Sequence, residues 1–157
     1  MKVTLGNIEH SPRMSEETTC FCADVYVNGE KRGIAENSGK GGETILRGDF
    51  KDLEEYADKL PEREVNLDGH GFSYKLHAHD LVEDALHDWL VRKDFKKMKS
   101  KYILFTKEGQ SGLFQYPKKA RGQATVGDSV VLPAGCTNIN IMPEDEALKI
   151  FKERLGA

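Results

Sequence analysis

The chain has 157 residues, with 23 Lys and Arg against 26 Asp and Glu for a formal charge of −3, and it is 38% hydrophobic. That length can bury roughly two-thirds of the unfolded surface without disulfide or metal staples, and no apolar stretch approaches the ~18 residues of a membrane span. With 15 Gly and 5 Pro, collagen-like and low-complexity classes are excluded, and a pI of about 6.0 does not predict nucleic-acid or membrane-surface binding.

The opening residues alternate weakly around Val3, Leu5 and Ile8 and predict a strand, followed by a polar connector over 11–17. No signal-peptide core is visible at Met1–Gly6, and three cysteines cannot all pair within one chain, so a cytoplasmic setting with reduced thiols is expected. Phe21, Ala23, Val25 and Val27 occupy one face of a period-2 strand. Asn28-Gly29 follows at once and predicts a type I′ hairpin, because both central residues need φ > 0. The return strand runs over 31–36, with Gly33 marking a bulge or a close backbone approach. A glycine-dense segment, Asn37 to Glu43, leads into a short strand at 44–47.

Asp49 reads as an N-cap, with Phe50, Leu53, Ala57 and Leu60 at helical spacing before Pro61. Residues 62–76 alternate around Asp68-Gly69 and fit either a loose hairpin or an ordered loop. A long helix starts near Asp80 on the stripe Leu81, Val82, Ala85, Leu86, Trp89 and Leu90, and extends to about Ser100. Tyr102–Thr106 and Leu113–Tyr116 form a second hairpin. Ser129–Leu132 and Asn138–Met142 read as further strands, and Pro143 stands at the first position of a last helix that Gly156 would cap. Hairpins dominate, so the expected fold is one α+β domain over 1–157, an antiparallel sheet packed against two to three helices.

Three groups of residues could carry chemistry. The glycine-rich loop comes first: backbone N–H groups of Gly39, Gly41 and Gly42 with Asn37, Lys40, Arg32 and Arg47 could cradle a phosphate. It is no Walker A loop, since Gly41 follows Lys40 and a strand comes next. The plain alternative is a hairpin tip. Second, His70, His77 and His79 with Asp80 suit a divalent metal by residue type, though no HExxH spacing is present; the plain alternative is solvated or helix-capping histidine. Third, the basic run Arg92 to Lys101 and the patch Lys118, Lys119 and Arg121 beside Tyr116 could touch phosphates, but the acidic stretch Asp49 to Asp68 balances them. Cys20 and Cys22 share one strand face, opposite Phe21, and read as buried, inert thiols.

The hairpin Phe21-Cys22-Ala23-Asp24-Val25-Tyr26-Val27-Asn28-Gly29, with Gly33, Asn37 and Gly39-Lys40-Gly41-Gly42, resembles small phage-encoded and mobile-element proteins with an F-x-A hairpin, an N-G turn and an N-x-G-x-G-G loop. Leu104-Phe105 and the Asn140-Ile141-Met142-Pro143 lead into Ala147-Leu148 are similar to them too. The resemblance implies a bacterial host cytosol and action by binding, with no catalytic residue carried over.

The expectation from sequence is a non-catalytic binding protein without a cofactor, a counter-defence factor holding a phosphate-bearing, nucleotide-like ligand at the glycine-rich loop. One alternative is a protein-binding inhibitor acting on a host protein. Another is a metal-dependent hydrolase using His70, His77, His79 and Asp80. Nucleic acid and membrane are not expected partners, and self-association is left open.

Overall fold

A computed structural model describes residues 1–67, 70–119 and 124–155. The chain gathers into two compact units, Met1–His87 and Asp88–Ala157. The first carries 10 basic and 18 acidic residues, a formal −8; the second carries 13 basic and 8 acidic residues, a formal +5. Nine strands, every sheet pairing antiparallel, and three helices among the described residues make an α+β architecture, as the hairpin pattern predicts. No described helix is long and apolar enough to cross a membrane.

In the first unit β1 (Val3–His10), β2 (Phe21–Val27), β3 (Glu30–Asn37) and β4 (Ile45–Gly48) form one sheet in chain order. The period-2 pattern of β2 is realised: Phe21, Ala23, Val25 and Val27 are buried. Full burial of each valine contributes roughly 1.5–3 kcal/mol. The Asn28-Gly29 turn takes φ values of 51° and 89°. A register shift sits between Val25 and Tyr26, opposite Gly33. A Cβ on Gly33 would lie 2.1 Å from the Arg47 carbonyl oxygen, so Gly33 marks both a bulge and a close backbone approach.

Helix α1 (Lys51–Ala57) begins after Phe50, which takes the N-cap position expected for Asp49. The Asp49 N–H is bonded to the Arg32 carbonyl at the end of the sheet, which holds Asp49 outside the helix. Its carboxylate reaches the Lys51 N–H only at 3.4 Å. Residues 62–76 resolve as a hairpin of β5 (Arg63–Leu67) and β6 (His70–Tyr74); the expected Asp68-Gly69 turn lies outside the described residues. Helix α2 (Ala78–Lys101) then gives its first residues to this unit, where Val82 and Leu86, one turn apart, are buried.

In the second unit β7 (Tyr102–Lys107) lies between β8 (Phe114–Pro117) and β9 (Cys136–Asn138). Val91 and Phe95 of α2 join Leu104, Ile139, Ala147, Leu148 and Phe151 in one core. Phe95 and Phe151 meet edge to face at 5.1 Å. Two expectations are corrected. Residues 129–132 form no strand, and the strand expected over 138–142 ends at Asn138, giving way to a 3₁₀ turn, Ile139–Ile141. The cause is side-chain competition with the ladder: the Asn138 carboxamide oxygen accepts the Asn140 N–H at 3.0 Å and bends the chain away. Helix α3 (Glu144–Leu155) follows, and the Pro143 carbonyl accepts the Ala147 N–H, which places Pro143 at the N-cap, one position earlier than expected. The expected cap Gly156 lies outside the described residues.

Candidate functional site

The glycine-rich loop is closed from within. Asn37 ends β3 with its side chain buried. Its oxygen accepts from the Thr18 hydroxyl at 2.8 Å and from the Gly39 N–H at 2.9 Å. Its nitrogen donates to the Gly42 carbonyl at 3.0 Å and to the Thr44 hydroxyl at 3.4 Å. All four hydrogen-bonding positions of the amide are therefore used. The Thr44 hydroxyl in turn donates to Glu83 Oε1 at 2.6 Å. The Gly39 carbonyl accepts the N–H groups of Glu16, Glu17 and Thr18, and the Gly41 N–H points to Thr18 Oγ1 at 3.4 Å. The polar connector over 11–17 and its neighbour Thr18 thus dock the loop, and two amides expected to face a phosphate face the chain itself.

The flanking cations are occupied as well. Arg32 donates to Asp52 at 3.0 Å, with Glu30 at 3.6 Å. Arg47 donates twice to Glu36 Oε1, at 3.0 and 2.6 Å. Lys40 is exposed and, unlike Arg32 and Arg47, makes no ion pair among the described residues. The structure brings Asn37, Gly39, Gly41 and Gly42 together, and it leaves no convergent cationic cradle around them.

Beside the loop lies a cavity of about 450 Å³. Strand register builds its floor. Glu9, Cys22, Glu36 and Ile45 stand directly opposite one another across four strands, on the sheet face away from Phe21, Ala23 and Val25. Asn37, Ser38, Gly42 and Glu43 of the loop supply one wall, and Cys20 and His10 line another part. Of its three carboxylates, Glu36 is paired with Arg47; Glu9 and Glu43 have no ion partner among the described residues. No Lys or Arg lines the cavity. Both Cys20 and Cys22 are free thiols, and the expected burial is corrected: Cys22 is exposed on the open face of β2, and Cys20, half-buried, precedes the strand. Glu9 and Glu43 were not legible as a pair in the sequence. They are 34 residues apart, and the available signal was only that Cys22 must point away from the buried face of β2.

The histidine group has become a helix start. The Asp80 carboxylate accepts the His77 N–H at 2.8 Å, and Glu54 of α1 accepts the Ala78 N–H at 2.7 Å. Two donors at the positive end of α2 are thereby satisfied by carboxylates. Glu54 also meets His77 Nδ1 at 2.6 Å. His77 and His79 stack at 5.6 Å, with His79 3.7 Å from Asp80. The Glu54 hydrogen bond raises the His77 pKa above its ordinary value. Burial pushes Glu54 up, but the His77 and Ala78 hydrogen bonds outweigh it and hold the carboxyl below its ordinary value. His70 lies in β6, exposed. Among the described residues, no group of three or more His, Cys, Asp or Glu is arranged to hold a metal ion.

In the second unit the basic run is partly neutralised. Arg92 donates to Asp88 at 2.7 Å and lies 3.8 Å from Glu144, and Lys152 also binds Asp88. Cys136 on β9 is a free thiol. Compared with known proteins, no family model, no curated protein and no solved structure matches this chain.

Proposed function

We propose that the first unit is a binding module whose ligand places a cationic, hydrogen-bond-donating group in the cavity beside the glycine-rich loop. The carrying observation is the pair of carboxylates, Glu9 and Glu43, that line this cavity without an ion partner. A cavity of about 450 Å³ is in the range of small-molecule sites. A guanidinium or ammonium would gain charge-assisted hydrogen bonds there, with the exposed Ile45 side chain beside its apolar part. The unit's formal −8 favours approach of such a ligand over that of an anion.

The phosphate reading has less support. The loop amides of Gly39 and Gly41 are engaged within the chain, and Arg32 and Arg47 already hold carboxylates. A phosphate in the cavity would face Glu9, Glu36 and Glu43.

Calorimetry with argininamide and spermidine against ATP and inorganic phosphate tests the reading. The cations are expected to bind, and Glu9→Gln with Glu43→Gln is expected to weaken them about tenfold, near 1.4 kcal/mol. Binding of ATP that Lys40→Ala abolishes, with no binding of the cations, would overturn it.

A further inference from the structure

The sequence separates two basic segments, 92–101 and 118–121, and a balancing acidic stretch argued against a polyanion partner. The fold joins 92–101 with Lys118 and Lys119, Arg121 lying outside the described residues, and leaves the acidic stretch in the other unit. Helix α2 runs straight into β7 at Lys101-Tyr102, and β8 returns beside it so that Pro117 lies opposite Tyr102. The Lys118 N–H then donates to the Lys101 carbonyl at 2.9 Å. The last turn of α2, with Lys99 and Lys101, therefore meets Lys118 and Lys119 at one corner of the second unit.

One carboxylate serves this corner. Lys118 binds Asp128 at 2.7 Å, the sole ion pair that any of the four lysines makes among the described residues. Burial raises the Asp128 pKa, but hydrogen bonds from Lys118 and Asn140 hold it below its ordinary value, with Lys99 adding a through-space pull. Four ammonium groups against one carboxylate leave a local excess of positive charge. The helix dipole accounts for Lys99 and Lys101, since cations favour a helix C-terminus. It does not account for Lys118 and Lys119 arriving at the same place. Tyr116, opposite Ile103 and two residues before Lys118, is 44% exposed.

We propose that Lys99, Lys101 and Lys119, with Lys118 held to Asp128, form a phosphate-contacting patch for single-stranded nucleic acid, with a base stacked on Tyr116. Lysines at one corner suit successive backbone phosphates. An exposed tyrosine beside them suits an unstacked base, which a duplex or a lipid surface does not offer.

The test is fluorescence anisotropy of the full chain with a labelled single strand of about 12 nucleotides, the matching duplex, and anionic phosphatidylserine vesicles as a third arm. At about 50 mM salt the single strand is expected to bind tightest, with a slope of log K against log salt of about −2 for three contacts. Lys101→Glu with Lys119→Glu, both exposed, is expected to cut single-strand affinity at least tenfold while circular dichroism is unchanged. Tyr116→Ala is expected to cut it several-fold and spare any duplex binding, whereas Tyr116→Phe keeps it. Three results overturn the proposal: no single-strand binding at low salt, binding indifferent to the charge reversal, or duplex or vesicle binding as tight as single-strand binding.

Discussion

The Asn140 side chain binds Leu104 as a strand neighbour would. Its oxygen accepts the Leu104 N–H at 2.9 Å, and its nitrogen donates to the Tyr102 carbonyl at 2.9 Å and to Asp128 at 2.5 Å. One carboxamide thus continues the β7–β9 ladder past the point where the backbone leaves it. Asn140→Ala strands the buried Leu104 N–H and removes a donor from Tyr102 and Asp128. It is expected to cost about 2–4 kcal/mol, since each unsatisfied buried group costs about 1–3 kcal/mol. Urea unfolding followed by circular dichroism measures the loss.

Asn37 plays the corresponding part in the first unit. Asn37→Ala removes four hydrogen bonds at a buried position and is expected to cost about 2–3 kcal/mol. The Gly39 and Gly41 amides should then exchange with deuterium faster than in the parent chain. Lys40→Ala, at the exposed tip of the same loop, is expected to stay within about 0.5 kcal/mol. Equal effects of the two substitutions would show that Asn37 does not organise the loop.

The Glu54–His77 pair predicts a pH window. His77 titrates above its ordinary 6.5, so its contribution is whole below that pH and is lost as pH rises through the raised value. Glu54 titrates below its ordinary 4.5, so its contribution is whole above that pH and is lost as pH falls through the lowered value. The pair is therefore fully formed between 4.5 and 6.5. Both side chains are substantially exposed, so the stability change is modest. An NMR titration reads it directly: Glu54→Gln should bring the His77 midpoint down toward its ordinary value, and an unmoved midpoint would exclude the pair as the cause.

Two glycines should respond for different reasons. Gly33→Ala forces a Cβ to within 2.1 Å of a backbone carbonyl that cannot swing aside, and is expected to cost about 2–4 kcal/mol. Gly29→Ala meets nothing within 4 Å and suffers only the positive φ of 89°, with an expected cost of about 1 kcal/mol. Thermal melts of the two variants should separate them clearly.

Local chemistry was legible along the chain. The alternation from Phe21 to Val27 and the Asn28-Gly29 pair determine a hairpin, because period-2 burial and positive φ are properties of neighbouring residues. The glycine density after Asn37 marked a tight loop correctly, since tight turns need little more than local backbone freedom. Tertiary structure decided what those features do. Thr18, 19 residues before Asn37, donates to its side-chain oxygen and takes the Gly41 N–H that a phosphate was expected to accept. Cross-strand register sets Glu9 beside Cys22 and Glu36. Asn140 leaves a strand-like sequence to bind β7, 36 residues back at Leu104. The acidic and basic stretches that nearly cancel along the chain fall into separate units of −8 and +5. Each of these depends on hydrogen bonds and fields between residues far apart in sequence, and spacing along the chain does not specify which polar groups meet.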